Sequence, residues 1–331
     1  MKTIDVHCHI VPADFPAQPP SCVTDKWPGM EHRENTQAMI KSGKSDFRLV
    51  DSRCWDMDRR IGDMDAEGTL LQVVSPMPEL LAYWIDAPHA LGLSRHINGV
   101  ISDMVTKHPT RFGGLGMVPL QDPELAAKEV SSLRSTYNLS GIEIGSNILG
   151  KSPADPSFDV FYAEAEKNDL AIFVHALHPI GTNRLVGPEQ SEAYICHPSD
   201  VGFAAAGCIT GRLLEKFPKL RIGFSHGGGT LSAFLPRLQS GWTKLPPLNK
   251  GFASPIETAR KFYYDNLAFD PVLLRYLMDM FGETQIFVGS DYPFMAGQKD
   301  SAKTFDPLGL TPAQLNRVLY ENAERFLNIK I

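Results

Sequence analysis

His7 and His9 flank Cys8 directly after the segment Ile4-Asp5-Val6. On a β-strand, residues i and i+2 share a face. Two imidazoles on one face can grip one divalent ion, because neutral imidazole is the commonest metal ligand in proteins. Cys8, between them, then points away from that ion. The pair alone fits a structural strand equally well, so the chemical reading depends on further donors at the ends of other strands. They are present: "LAIFV" runs into His175, "RIGFS" into His226 and "QIFVGS" into Asp291. Imidazole and carboxylate donors suit Zn2+ first, with Mn2+, Co2+ or Fe2+ as alternatives. A zinc ion with an open position lowers the pKa of bound water toward about 7, which provides hydroxide at neutral pH.

The elements that must position these donors follow from periodicity. Eight short apolar segments read as strands: "TIDVHCHI", "LLQVVSP", "RFGGLGMVPL", "GIEIGSN", "LAIFVHA", "LRIGFSHGGG", "KFYYDNLAF" and "TQIFVGSDYP". Helical patterns separate them, among them a helix with Asp122 as N-cap and Pro123 at its first position, and one running from Asp200 to Lys216. A closing helix starts with Thr311 as N-cap and Pro312 at its first position. Near-continuous apolar strands fit a parallel sheet buried on both faces. Eight such units predict an α/β fold, a (β/α)8 TIM barrel whose active site gathers at the C-terminal ends of the strands. A doubly wound open sheet is the alternative, but no G-x-G-x-x-G follows the first strand. The whole chain, 1–331, reads as one barrel domain with a lid-like insertion at about 11–51, rich in Pro, Gly and charge.

Composition narrows the function classes. The 331 residues are 43% hydrophobic and 21% charged, with a net charge of −6. No Lys/Arg run is present, so nucleic acid is not an expected partner. No apolar stretch approaches membrane-spanning length and the start lacks a signal-peptide core, so no membrane partner is expected and the expected location is cytoplasmic. The five cysteines are odd in number and show no CxxC spacing, which reads as reduced thiols.

The donor set, together with longer strings, resembles the amidohydrolase superfamily. More closely it resembles the family of α-amino-β-carboxymuconate-ε-semialdehyde decarboxylase. The strings are "IDVHCHIVP", "FRLVDSRCWD", "DMDAEG", "HPTRFGGLGMVPLQDPELAAKE", "GIEIGSN", "EKFPKLRIGFSHGGG" and "GSDYPF", and they span nearly the whole chain. The resemblance implies that His7, His9, His175 and Asp291 bind one metal. It implies that His226 moves protons beside that metal rather than binding it. It places Arg48 and Arg237 at substrate carboxylates, with Arg237 reaching in from a neighbouring subunit and hence a homodimer. A guanidinium suits a bidentate carboxylate clamp, although surface charge is the default role of any arginine. Binuclear amidohydrolases carry a lysine at the end of strand four; "GIEIGSN" has none. Glu143 there is either a substitute or a core acid facing a helix cap.

The chain also departs from that family. After the fifth-strand histidine it reads "HALHPIG", which brings His178 near the site as a substrate-facing group or as the anchor of a proline turn. Further on, "EAYICHPSD" replaces a tryptophan-rich loop. The pocket wall therefore differs, and so can the substrate. The reading is a metal-dependent, non-oxidative decarboxylase of a small unsaturated or aromatic carboxylic acid, with Asp291 sharing the proton traffic of His226. The alternatives are a hydrolase of a lactone, amide or ester, a hydratase of the same superfamily, or a non-catalytic binding barrel.

Overall fold

The computed structural model describes residues 2–188, 190–294 and 297–331. The chain opens with β1 (Ile4–Ile10), followed by β2 (Pro28–His32), β3 (Gln37–Ser42), β4 (Ser45–Asp51) and helix α1 (Met57–Glu67). Next come β5 (Leu71–Pro76), α2 (Ala87–Lys107), β6 (Phe112–Gly116), α3 (Pro123–Ser135), β7 (Gly141–Gly145) and α4 (Asp159–Lys167). Then follow β8 (Ala171–His175), α5 (Ser191–Thr210), α6 (Leu213–Lys216), β9 (Ile222–Phe224), α7 (Leu231–Lys244), α8 (Pro246–Asn249) and α9 (Pro255–Ala259). The chain closes with β10 (Tyr263–Asp265), α10 (Pro271–Phe281), β11 (Ile286–Phe287), α11 (Pro312–Asn316) and α12 (Asn322–Leu327).

Strands β1 and β5 to β11 form one parallel sheet in sequence order. The sheet closes on itself. Val6 N–H donates to Val288 O at 2.9 Å, Asp291 N–H to His7 O at 2.8 Å and His9 N–H to Tyr292 O at 2.7 Å. Closure removes the open-sheet alternative and gives the (β/α)8 barrel. The lower interior is filled by Ile4, Val6, Val73, Leu115, Phe173 and Phe287, sealed below by Phe326 and Leu327 of α12.

One irregularity in β1 sets up everything above that layer. Its pairing with β5 runs Asp5 to Gln72 and then Cys8 to Val74, so β1 carries one extra residue between those pairs. Ile4 and Val6 face the interior below the bulge. Above it the phase flips. His7 meets Phe173 inside the barrel, with ring centroids 5.2 Å apart, while Cys8 joins the core between barrel and helices. Bulges commonly re-aim side chains next to active sites.

Local signals account for the helix boundaries. Asp122 accepts the Leu125 N–H at 3.0 Å and caps α3, with Pro123 at its first position. Thr311 and Gln314 form a reciprocal capping box at α11. The expected helix from Asp200 to Lys216 differs. It begins at Ser191, runs through Pro198, stops at Thr210 and resumes as α6. Proline lacks an N–H and marks a break in a sequence pattern. Here packing holds the helix together: the Pro198 carbonyl accepts the Thr230 N–H at 3.0 Å. The insertion contributes a three-stranded antiparallel sheet, β2-β3-β4, at the C-terminal mouth of the barrel. Among the described residues, no helix is long and apolar enough to cross a membrane.

Candidate active site

The donors expected from the sequence converge at the C-terminal end of the barrel. His7, His9, His175 and Asp291 are all buried and each offers one ligand atom within 4.8 Å of the others. His7 Nε2 and His9 Nε2 are 3.1 Å apart, and Asp291 Oδ1 lies 3.0 Å from His9 Nε2 and 3.4 Å from His7 Nε2. Simple alternation delivers two of these side chains. Along β8, Ala171, Phe173 and His175 share a face, and past β11 the same period links Phe287, Gly289 and Asp291. Gly289 is required there, because a Cβ at that position would lie 2.7 Å from the Cβ atoms of both His7 and Asp265.

The neighbours of each imidazole fix its tautomer. His7 Nδ1 donates to Asp265 Oδ2 at 2.7 Å, His9 Nδ1 to the Pro76 carbonyl at 3.0 Å and His175 Nδ1 to the Ala176 carbonyl at 2.9 Å. All three rings therefore present an Nε2 lone pair toward Asp291. Outer partners of this kind orient metal-ligating histidines. His175 Nε2 is buried with no hydrogen-bond partner. An orphaned imidazole nitrogen beside two others and a carboxylate is the donor set of a divalent cation, so the residues fit a metal. Burial opposes charge on His7, but Asp265 and Asp291 outweigh it and hold its pKa up at about 10, so a metal ion at its Nε2 takes the place of a proton there. Burial is also the main cause that takes His175 well below its ordinary value, and the neighbouring His9, His7 and His226 add to it.

His226 borders this cluster without joining its donor atoms. Its ring centroid is 5.1 Å from that of His175 and 5.6 Å from that of His7. Burial pushes its pKa down to about 4, with His7 adding to the effect. Its backbone sits at φ 56°, in the left-handed region. Asp265 holds it there, accepting the N–H of His226 at 3.0 Å and of Gly227 at 2.7 Å. Strain of this kind persists where the surroundings over-determine it.

A cavity of 810 Å³ opens above the donors, lined by Arg48, Glu79, His178, His197, His226 and Phe294 among others. Arg48, on β4, donates to Glu79 Oε1 at 2.9 Å, and its guanidinium lies 5.1 Å from the centre of the Phe294 ring. His178 also borders the cavity and packs at a tilt against Trp84 with centroids 4.8 Å apart. Arg237 is not brought to this cavity. It sits exposed on α7. Glu143 faces the barrel interior rather than a helix cap. Its carboxylate is 3.7 Å from His9 Nδ1, and burial pushes its pKa up to about 7.

Three residues of the site escape sequence reasoning. Asp265 ends β10, so the strand-end rule that selected His175 applied equally to "YYDNLAF". His197 and Glu79 stand on a helix and in a short turn, where no period points at a barrel mouth.

The family model described as "Amidohydrolase" matches residues 4–329. The chain is 31% identical over 324 residues to the 2-amino-3-carboxymuconate-6-semialdehyde decarboxylase of Dictyostelium discoideum, covering 97% of this chain and 87% of that protein. It is 28% identical over 242 residues to the 6-methylsalicylic acid decarboxylase of Penicillium expansum, covering 70% and 71% of the two chains. A dihydroxybenzoic acid decarboxylase from Polaromonas sp., solved with bound manganese and the inhibitor 2-nitroresorcinol, shares the fold. Its TM-score is 0.74 at 22% identity, over 84% of this chain and 87% of that chain.

Proposed function

This chain belongs to the amidohydrolase family, and on that premise we propose that it is a metal-dependent carboxy-lyase. It removes CO2, without oxidation, from a small unsaturated or aromatic carboxylic acid. The observation that carries this reading is the convergence of four ligand atoms on the floor of a cavity that also holds an arginine.

His7, His9, His175 and Asp291 would hold the ion. Zn2+ is the first choice and Mn2+, Co2+ or Fe2+ the alternatives, with the manganese of the Polaromonas protein keeping that metal among those to be loaded. Bound there, a divalent ion supplies Lewis-acid stabilisation of charge on substrate oxygens. Arg48 orients the substrate carboxylate, which competes with Glu79 for its guanidinium. His226 delivers a proton to the carbon bearing the carboxylate. Burial lowers its pKa to about 4 and keeps it neutral at neutral pH, so it must first take up from substrate or solvent the proton that it delivers, and releases it readily once charged. Asp291, whose Oδ1 faces the histidines, shares that proton traffic. Once the carbon is protonated, the C–C bond breaks and its electron pair returns to the ring or diene as CO2 leaves. His178 faces the substrate from the cavity wall, and the inserted sheet acts as a lid.

The same proposal includes a homodimer in which Arg237 reaches the partner's cavity. Its support is an exposed aromatic residue near Arg237: Phe203 of α5 is exposed and lies against Phe234, one helical turn before Arg237 on α7. A cytoplasmic location is supported by five free cysteines.

The test is CO2 release from a panel of hydroxybenzoates and carboxymuconates, run beside lactones, amides, esters and unsaturated oxo-acids. The expected result is chelator-sensitive CO2 release from at least one acid. Turnover confined to hydrolysis or hydration, with no CO2, would overturn it.

A further inference from the structure

A second cluster of metal-binding side chains lies away from the barrel axis, where the insertion meets α2. Cys22, Asp86 and His89 each offer one donor atom, and these atoms lie within 4.8 Å of one another. We propose that Cys22, Asp86 and His89 form a second divalent-cation site, of the zinc type, that clamps the inserted segment to the barrel.

The donor chemistry is the first argument. Thiolate, imidazole and carboxylate together favour a borderline-soft ion such as Zn2+ over Mg2+ or Ca2+, which take oxygen ligands. The second is the orientation of Asp86. It occupies the N-cap position of α2, where an aspartate ordinarily accepts a backbone N–H of the first turn. Its side chain makes no such bond. Instead Oδ2 lies 2.6 Å from His89 Nδ1, and Oδ1 accepts from Cys22 Sγ at 3.8 Å. The third is the tautomer of His89. Its Nε2 is 2.8 Å from Ser21 Oγ. As it stands Nδ1 donates to Asp86 Oδ2; an ion arriving at Nδ1 moves the ring proton to Nε2, where Ser21 Oγ is already placed to accept it, as in histidines oriented by an outer partner.

Both walls of the site are fixed before any ion arrives. Asp86 and His89 stand on one helical turn, with Ala90 N–H donating to Asp86 O at 3.0 Å. The loop of Cys22 is closed by its own N–H to Pro19 O at 2.9 Å and by Gln18 Nε2 to Cys22 O at 2.8 Å. Binding releases the thiol proton of Cys22 to solvent and moves the ring proton of His89 from Nδ1, where it faces Asp86, to Nε2, where Ser21 Oγ accepts it. The consequence reaches the main cavity. Cys22 leads into β2, and β2 pairs with β3, which pairs with the strand carrying Arg48. An ion joining Cys22 to α2 holds that sheet over the mouth of the barrel.

Cobalt tests this directly, because a thiolate ligand to Co2+ gives a near-ultraviolet charge-transfer band that imidazole and carboxylate do not. Among the described residues the main site contains no thiolate donor, since Cys8 Sγ lies 3.9 Å from Ser290 Oγ on the other side of β1. Titrating Co2+ into the metal-loaded enzyme should produce this band with saturation at one added equivalent. The band should be lost in Cys22→Ser, persist in Cys8→Ser and be displaced by Zn2+. His89→Gln, on a partly exposed position, should weaken Co2+ binding at least about tenfold and serves if Cys22→Ser does not fold. Absence of the band in the folded wild type, or an unchanged band in Cys22→Ser or an unchanged affinity in His89→Gln, would overturn the assignment.

Discussion

Replacing Asp265 by asparagine should weaken metal binding through the tautomer of His7, without touching a ligand. Asp265 accepts four hydrogen bonds. Oδ2 takes His7 Nδ1 at 2.7 Å and His226 N–H at 3.0 Å, and Oδ1 takes Gly227 N–H at 2.7 Å and Leu267 N–H at 3.1 Å. An asparagine keeps one oxygen and turns the other into a donor. If its NH2 faces Gly227 and Leu267, two buried backbone donors lose their acceptor. If it faces His7 and His226, only one backbone donor does, and His7 can adapt. Each orphaned buried donor costs about 1–3 kcal/mol, so the second orientation wins. His7 then accepts at Nδ1 and carries its proton on Nε2, the atom the ion needs. The expected loss is about 10- to 100-fold in metal affinity, or about 1.4–2.8 kcal/mol. Competition against a chelator of known affinity measures it, and calorimetry should show a lowered Tm from the single orphaned donor. A folded Asp265→Asn protein that binds the ion as tightly as wild type would refute the reasoning.

Three further outcomes are expected. His175→Ala should lose both bound metal and activity, whereas Cys8→Ser, whose thiol packs away from the donors, should leave both nearly unchanged by elemental analysis and rate assay. His226→Asn, chosen because asparagine tolerates the left-handed backbone at φ 56°, should retain the metal yet lower kcat about a hundredfold or more; loss of the metal would make His226 a ligand. Mixing inactive His175→Ala with inactive Arg237→Ala should restore partial activity, because one hybrid site regains both residues. A fully active monomer by sedimentation, or no rescue while subunits exchange, would leave Arg237 as surface charge.

Much of the site was legible because a parallel barrel strand has only two faces and one functional end. Once "LAIFVH" is a strand, His175 must stand two residues beyond Phe173 on the same face, and Asp291 follows Phe287 and Gly289 by the same rule. Eight apolar segments in alternation with helices were enough for the barrel. Asp265 obeys that rule too, but an aspartate after two tyrosines carries no metal-binding pattern by itself. The start of α5 was hidden by Pro198, since a local signal cannot report the packing that carries a helix through a proline. The meeting of Cys22 with Asp86 and His89 joins residues more than sixty positions apart, and no periodicity encodes such a contact.

The first strand divides the two kinds of information most clearly. The sequence by itself determined that His7 and His9 share a face, because the period of a strand is two. It did not determine which face. Continued from Ile4 and Val6, regular alternation would aim Cys8 into the barrel and turn both histidines outward. The single extra residue between the Asp5–Gln72 and Cys8–Val74 pairs reverses that phase. Such a bulge belongs to the pairing of β1 with β5, and that register exists only once the two strands meet in the folded sheet.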